Sequence, residues 1–219
     1  MQCDLYDISG KISGKVSLPQ EIFGLEVKPQ ILAQSIRVYL SNQRQKGAAK
    51  TKSRGDVVGS TRKIYKQKGT GRARHGDKKA PIFVGGGKAH GPTGLQNYKL
   101  KMSKKMRSLA VRSTLSQKLK EKNIVVVEGM GKMTTKSKGM IELLFHLKMT
   151  DKKKKLMQTV LLIMPEKTDK VLLAARNINK LEYIYASRLN AYKLITARKI
   201  VLMKESIDLI KKAFGKNND

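Results

Sequence analysis

The sequence contains little of what several classes of protein require. Its single cysteine, Cys3, excludes an internal disulfide framework and indicates a reducing compartment. The three histidines, His75, His90 and His146, are far apart in the sequence, and there is no cysteine pair. We therefore predict no metal site. Tryptophan is absent and aromatic residues make up 5% of the chain, so a protein that stacks bases on an aromatic platform is disfavoured.

Long apolar runs and secretion signals are also absent from the sequence. The most apolar stretches, Ile124–Val127 and Val160–Met164, are far shorter than the ~18 residues that a membrane span needs. The first residues carry Asp4 and Asp7 where a signal peptide carries bases, and no apolar segment follows them. We therefore expect that the chain does not insert into a membrane, and we expect a cytoplasmic location, with an organelle interior as the alternative.

Acidic residues are scarce relative to basic ones. The 219 residues include 47 Lys and Arg against 16 Asp and Glu, which gives a net charge of +31 at pH 7. Such an excess favours a polyanionic partner, either a nucleic acid or an anionic membrane surface. Hydrophobic residues make up 40% of the chain, enough for a folded core in one or two domains.

Basic residues and glycines are concentrated in one segment. Residues 44–101 contain 16 Lys and Arg, only two acids (Asp56 and Asp77) and eleven of the 18 glycines. The apolar residues there follow neither a helix nor a strand period. We predict an extended basic loop over residues 45–97, inserted into a globular RNA-anchoring domain formed by residues 1–44 and 98–219. Because the loop lacks a hydrophobic face, we expect it to be disordered in the free protein.

The segments on both sides of the loop show regular patterns. Strands are predicted at 3–8 and 11–18, with helices at 29–43, opened by Pro29, and at 103–122, capped by Ser103. Strands and helices then alternate, with strands at 124–128, 159–164, 183–186 and 199–203 and helices at 136–149, 169–177, 188–195 and 205–214. Continuous apolar strands alternating with helices predict an α/β fold, a mostly parallel sheet flanked by helices.

The α/β pattern raises the possibility of an enzyme, but no catalytic motif supports it. Neither a phosphate-binding P-loop nor a G-x-G-x-x-G fingerprint occurs. The strand that leads into Glu128-Gly129-Met130-Gly131 has a weak similarity to the first motif of Rossmann-type methyltransferases, so a ribosomal RNA methyltransferase remains an alternative. We predict no enzyme activity, no catalytic residue and no cofactor.

The composition of the loop suits close contact with structured RNA. Lys and Arg side chains neutralise phosphates, and the planar guanidinium of Arg can pair with two phosphate oxygens at once. Glycines let the backbone approach closely and turn, while Gln and Thr side chains can reach 2′-hydroxyl groups. The alternatives are a solvated basic tail and a protein that binds any nucleic acid or membrane surface through charge alone.

The loop carries a motif that resembles a known family. Gln67-Lys68-Gly69-Thr70-Gly71-Arg72-Ala73-Arg74 is similar to the signature of the bacterial-type large-ribosomal-subunit protein four family. The similarity continues through Thr51-Lys52-x-Arg54, Val57-x-Gly59-Ser60, Pro81-Ile82, Gly85-Gly86-Gly87, Gly91-Pro92 and Ala174-Ala175-Arg176-Asn177. Ile64-Tyr65-Lys66 stands where Pro-Trp-Arg is common, and Asp56 where Glu is common.

The resemblance implies a structural constituent of the large ribosomal subunit. Members of this family bind large-subunit ribosomal RNA early in assembly, and their loop lines the peptide exit tunnel. There the loop meets ribosomal protein twenty-two, with the nascent peptide nearby, and the resemblance implies no membrane partner. The residues expected to contact RNA are Arg44, Lys46, Lys50, Lys52, Arg54, Arg62, Lys63, Lys66, Gln67, Lys68, Gly69, Thr70, Gly71, Arg72, Arg74 and His75. A second basic run, Lys152 to Lys155, is either a further RNA contact or a solvated helix end.

Overall fold

The structure, a computed structural model, describes residues 1–150, 155–166 and 169–215. The chain divides into two compact units. Met1–Tyr39 and Lys101–Asp219 form the first, called here the globular unit, and Leu40–Leu100 form the second, called the basic unit. The basic unit is slightly longer at both ends than the predicted loop at 45–97.

The globular unit contains one six-stranded sheet. Its strands are β1 (Gln2–Tyr6), β2 (Ile12–Ser17), β3 (Ile124–Val127), β4 (Val160–Met164), β5 (Leu181–Tyr185) and β6 (Lys199–Met203). They are arranged in the order β2-β1-β3-β6-β4-β5. The β1–β2 pair is antiparallel and every other pair is parallel, which confirms the predicted mostly parallel sheet.

Helices cover both faces of this sheet. They are α1 (Gln20–Phe23), α2 (Pro29–Gln43), α3 (Lys104–Lys120), α4 (Ser137–His146), α5 (Asp169–Ala175), α6 (Ala191–Thr196) and α7 (Ser206–Phe214). Among the described residues, none of these helices combines the length and apolarity needed to cross a membrane.

Because side chains alternate between the two faces of the sheet along each strand, the core consists of two layers. In β4, Leu161 and Ile163 join the cluster built with α1, α3 and α7, whereas Val160, Leu162 and Met164 join the cluster built with α4 and α5. Successive side chains of a strand point to opposite faces, so an uninterrupted apolar strand is required where both faces are covered. The continuous apolar runs of the sequence are explained by this double burial.

Local capping explains where several helices begin. The side chain of Ser103 accepts a hydrogen bond from the Met106 amide at 3.3 Å, as predicted for the start of α3. The prediction for α6 was wrong at its start. Asn190 caps that helix by accepting from the Lys193 amide at 2.8 Å, and the preceding residues, Ala186–Arg188, form a separate 3-10 turn.

Other local predictions also need correction. Strand β5 starts at Leu181, two residues before the predicted start, and the short helix α1 was not predicted. In α4 the buried residues are Met140, Leu143 and Leu144, and in α2 the buried residue is Leu32.

Candidate nucleic-acid interface

Backbone hydrogen bonds join two segments of the basic unit, residues 51–52 and residues 88–92, called here its two limbs. The Thr51 amide donates to the Pro92 carbonyl at 3.0 Å, and the Lys88 amide donates to the Lys52 carbonyl at 2.9 Å. The limbs approach so closely that a Cβ atom on Gly91 would lie 1.9 Å from the Thr51 hydroxyl oxygen. The absence of a Cβ on Gly91 therefore lets the two segments approach closely.

Asp56 closes a tight turn near the start of the basic unit. Its carboxylate accepts from the Ser53 hydroxyl at 2.6 Å and from the Ser53 amide at 3.1 Å. These two hydrogen bonds lower the pKa of Asp56, with nearby lysines contributing less. One of the two acids in the loop thus shapes the backbone.

Asp77, the other acid of the loop, is buried. Its carboxylate is 3.1 Å from the guanidinium of Arg54. Asp77 and Gly87 are the only buried residues among 40–100. A Cβ atom on Gly87 would lie 2.4 Å from the backbone nitrogen of Arg54. A charged pair and a glycine contact therefore occupy the place that apolar side chains take in an ordinary core.

The distal part of the unit is a second pair of adjacent segments. The Ile64 amide donates to the Gly76 carbonyl at 2.9 Å, and the Lys63 ammonium donates to the His75 carbonyl at 2.8 Å. Between these segments, Gly69 and Gly71 adopt left-handed φ angles of 83° and 64°. The glycines of the signature motif therefore form the turn that reverses the chain at the tip.

Three contacts that involve aromatic rings occur in the basic unit. The His75 ring lies between Tyr65 and Phe83, with centroid distances of 6.3 Å and 5.1 Å and edge-to-face geometry. The Arg44 guanidinium lies 3.9 Å from the centre of the Tyr98 ring. The low aromatic content of the sequence did not indicate this grouping.

Most of the predicted RNA-contacting side chains are exposed. His75 is half-buried, and the exposed ones are Arg44, Lys46, Lys50, Lys52, Arg54, Arg62, Lys63, Lys66, Gln67, Lys68, Gly69, Thr70, Gly71, Arg72 and Arg74. Three of the cations have partners within the protein, namely Arg44, Arg54 and Lys63. Within the described ranges, the charged groups of the other predicted Lys and Arg residues make no hydrogen bond or ion pair. They are free to meet phosphates.

An open groove of about 970 Å³ runs through the basic unit, and its lining includes two lysines that the sequence analysis did not select. Lys78 and Lys79 line it together with Arg62, Lys63 and Lys66. They immediately follow the buried Asp77, and their position in a run of basic residues was the signal available in the sequence.

A further basic cavity lies in the globular unit. It has a volume of about 770 Å³, and its charged lining residues are Lys136, Lys138 and Arg176. Arg176 belongs to the Ala174–Asn177 stretch noted in the sequence, whereas nothing singled out the two lysines. Of the run Lys152 to Lys155, only Lys155 lies within the described residues, and it is exposed.

The turn Glu128-Gly129-Met130-Gly131, which suggested the methyltransferase alternative, is held by contacts within the protein. The Glu128 carboxylate accepts from the Lys204 ammonium at 2.9 Å and from the Ser13 hydroxyl at 3.0 Å. Both contacts lower the pKa of Glu128, with Lys204 the larger cause. Met130 is buried between the two glycines. This geometry is that of a strand end held by an ion pair.

Comparison with known proteins places the chain in a family. The model of the ribosomal protein L4/L1 family matches residues 16–213. A protein of Parabacteroides distasonis named large ribosomal subunit protein uL4 is 41% identical over 98% of this chain and 99% of its own length. Proteins with the same name from Christiangramia forsetii and Acetivibrio thermocellus are 39% and 36% identical, over 95% and 97% of this chain and 97% and 98% of their own lengths. The chain is a member of the ribosomal protein L4/L1 family.

Proposed function

We propose that this protein is a structural component of the large ribosomal subunit and binds large-subunit ribosomal RNA through its basic unit. The observation that carries the proposal is the family match over residues 16–213, a range that includes the whole basic unit. The exposed, unpaired cations of that unit add a physical reason, since each can neutralise a phosphate and release its counterions.

We further propose that the tip of the basic unit reaches the wall of the peptide exit tunnel. There it would lie beside ribosomal protein twenty-two and near the nascent peptide, after the globular unit has anchored the protein early in assembly. The exposed turn from Lys68 to Arg74 supports this role. A narrow glycine turn that carries cations can enter a space walled by phosphates, which a compact apolar domain cannot.

Sedimentation of a cell lysate tests the main proposal. The protein should sediment with the large subunit and stay there after a high-salt wash, because specific contacts add to the salt-sensitive electrostatic attraction. A protein that binds any polyanion would instead be released by salt and would be displaced equally well by bulk DNA. Release from the subunit by a moderate salt wash would contradict the proposal.

Crosslinking from the tip tests its place in the tunnel. The natural thiol can first be removed with Cys3→Ala, and Thr70→Cys then introduces a single thiol at the exposed tip. When this thiol carries a photoreactive group, ribosomes with stalled nascent chains should give crosslinks to the nascent peptide or to ribosomal protein twenty-two. The matched control, Lys120→Cys at the exposed end of α3, should give neither. Identical crosslinks from both positions would contradict the tunnel placement.

A further inference from the structure

The groove in the basic unit combines two kinds of wall. Five cations line it, Arg62, Lys63, Lys66, Lys78 and Lys79, and no acid does. Apart from the bond of Lys63 to the His75 carbonyl, their charged groups have no hydrogen-bond or ion-pair partner in the described part of the chain. A surface with this charge attracts a polyanion strongly, because nothing in the groove compensates the cations.

Apolar side chains line the same groove, and two of them are almost fully exposed. Val58 and Val84 both line it, and they are 93% and 108% exposed. The ring of Tyr65 contributes a half-buried aromatic surface to the lining, and its hydroxyl donates to the Ala73 carbonyl. Side chains this exposed gain little by burial within the protein, and a ligand with apolar faces would gain by covering them.

The volume and chemistry of the groove select one class of ligand. Its volume of about 970 Å³ lies at the upper end of the ~300–1,000 Å³ range of small-molecule sites. A phosphate alone would use the lysines but leave the valines in water. A paired RNA helix would also leave them in water, because its bases are stacked inside. An unpaired nucleotide offers both an anionic phosphate and a flat apolar base.

We propose that this groove is a binding site for unstacked nucleotides of a single-stranded RNA segment. The base packs against Val58, Val84 and the Tyr65 ring, while Lys78 and Lys79 hold the flanking phosphates. The inference rests on the proposed function, since it specifies which form of RNA the basic unit recognises at this place. It adds base contact to an interface that is otherwise made of charges.

Binding of two short probes to the full-length protein tests the proposal. One probe is an oligouridylate and the other is an abasic ribose-phosphate oligomer of the same length, so that the charges match and only the bases differ. The oligouridylate should bind about tenfold more tightly, as expected when one base packs against an apolar surface. Equal affinity for the two probes would overturn the base site while leaving phosphate binding intact.

Matched variants locate the effect in the groove. The double variant Val58→Ser, Val84→Ser should bind both probes equally. The variant Ile82→Ser, at a residue that is 68% exposed but outside the groove, should keep the tenfold difference. All three side chains are exposed, so neither variant should unfold the protein. A tenfold difference that survives in the double variant would overturn the proposal, and so would tighter binding of a polyglutamate peptide than of oligouridylate.

A parallel measurement separates this inference from the proposed function. Wild-type protein is titrated with large-subunit and small-subunit ribosomal RNA. Preference for the large-subunit RNA together with equal affinity for the two short probes would refute the groove alone. Absence of that preference would refute the proposed function, whatever the probes show.

Discussion

Strand β4 in the globular unit and Asp77 in the basic unit are both buried, but among different neighbours. Leu161 lies between hydrophobic side chains of the sheet and the helices, and every buried hydrophobic residue of the described chain belongs to the globular unit. Asp77 lies beside the Arg54 guanidinium and the backbone at Gly87. One unit excludes water with apolar area, whereas the other is held by hydrogen bonds, one ion pair and close glycine contacts.

This difference fits the two tasks proposed for the units. An apolar core is stable without a partner, because burial of its surface offsets the loss of chain entropy. A polar framework leaves almost every side chain of the basic unit outside, where cations can reach phosphates. The basic unit gives up hydrophobic stabilisation and gains exposed charge.

The largest effect is expected from a cavity in the apolar core. Leu161→Ala removes a fully buried side chain from the central sheet and should lower the free energy of unfolding by about 2–5 kcal/mol. Urea unfolding followed by circular dichroism measures this loss. Leu173→Ala, at an exposed position of α5, is the control and should cost less than about 1 kcal/mol. Equal costs for the two variants would show that the apolar core is not what stabilises this unit.

A smaller and more local effect is expected where the backbone of the basic unit is tightest. A methyl group at Gly87 would lie 2.4 Å from the backbone nitrogen of Arg54. Gly87→Ala should therefore force the backbone at residue 87 away from Arg54, at a cost of about 1–3 kcal/mol in stability. Amide hydrogen exchange should then accelerate at residue 87 and at Lys88, whose amides donate to Lys79 and Lys52. Gly76→Ala has open space around the added methyl and should leave exchange unchanged. Unchanged exchange in Gly87→Ala would contradict the close packing.

Removal of the Arg54–Asp77 ion pair should change the affinity for RNA. The direction of that change shows whether Asp77 acts by positioning Arg54 or only through its negative charge. Asp77→Asn raises the net charge by one, which alone would strengthen RNA binding. We expect weaker binding, by a few fold, because Arg54 loses the charged partner beside it. The effect is small, because the guanidinium is 60% exposed and solvent screens the pair. Glu142→Gln makes the same change of charge at an exposed position of α4 and should not weaken binding. Tighter binding by Asp77→Asn would show that Arg54 needs no positioning.

The smallest effect is a titration at the start of the basic unit. Hydrogen bonds from Ser53 lower the pKa of Asp56 below 3.8, so the turn is stabilised at neutral pH and loses that stabilisation as the pH falls through the lowered pKa. The Ser53 amide resonance should follow this titration with a midpoint below 3.8. Asp56→Asn should abolish it. A midpoint at or above 3.8 would contradict the hydrogen bonds.

The elements of the globular unit could be predicted because their signals are local. The apolar run of β4, Pro29 at the start of α2 and Ser103 before α3 each determine the nearby structure through residues that adjoin in sequence. The start of α6 was predicted too early, because the 3-10 turn Ala186–Arg188 and the helix have a similar spacing of apolar residues. The cap at Asn190 marks the boundary between them.

The arrangement inside the basic unit could not be predicted in the same way. Arg54 and Asp77 are 23 positions apart, and no periodic pattern announces that they pair. The groove depends on the same long-range contacts, which bring Val58 and Val84 to one surface. Charge and glycine content distinguished this segment from the rest of the chain, whereas its shape depends on pairings that composition does not encode.

The salt dependence of RNA binding tests the central claim, that the basic unit supplies the contacts to ribosomal RNA. Removal of residues 48–93 joins Gly47 to Gly94, which already approach closely, and takes away twelve Lys and Arg residues. We predict that the shortened protein keeps a cooperative thermal transition and binds large-subunit ribosomal RNA more weakly. Its plot of log affinity against log salt should also be shallower, by about 0.7–0.9 for each phosphate that the shortened protein no longer neutralises. An unchanged slope would contradict the account.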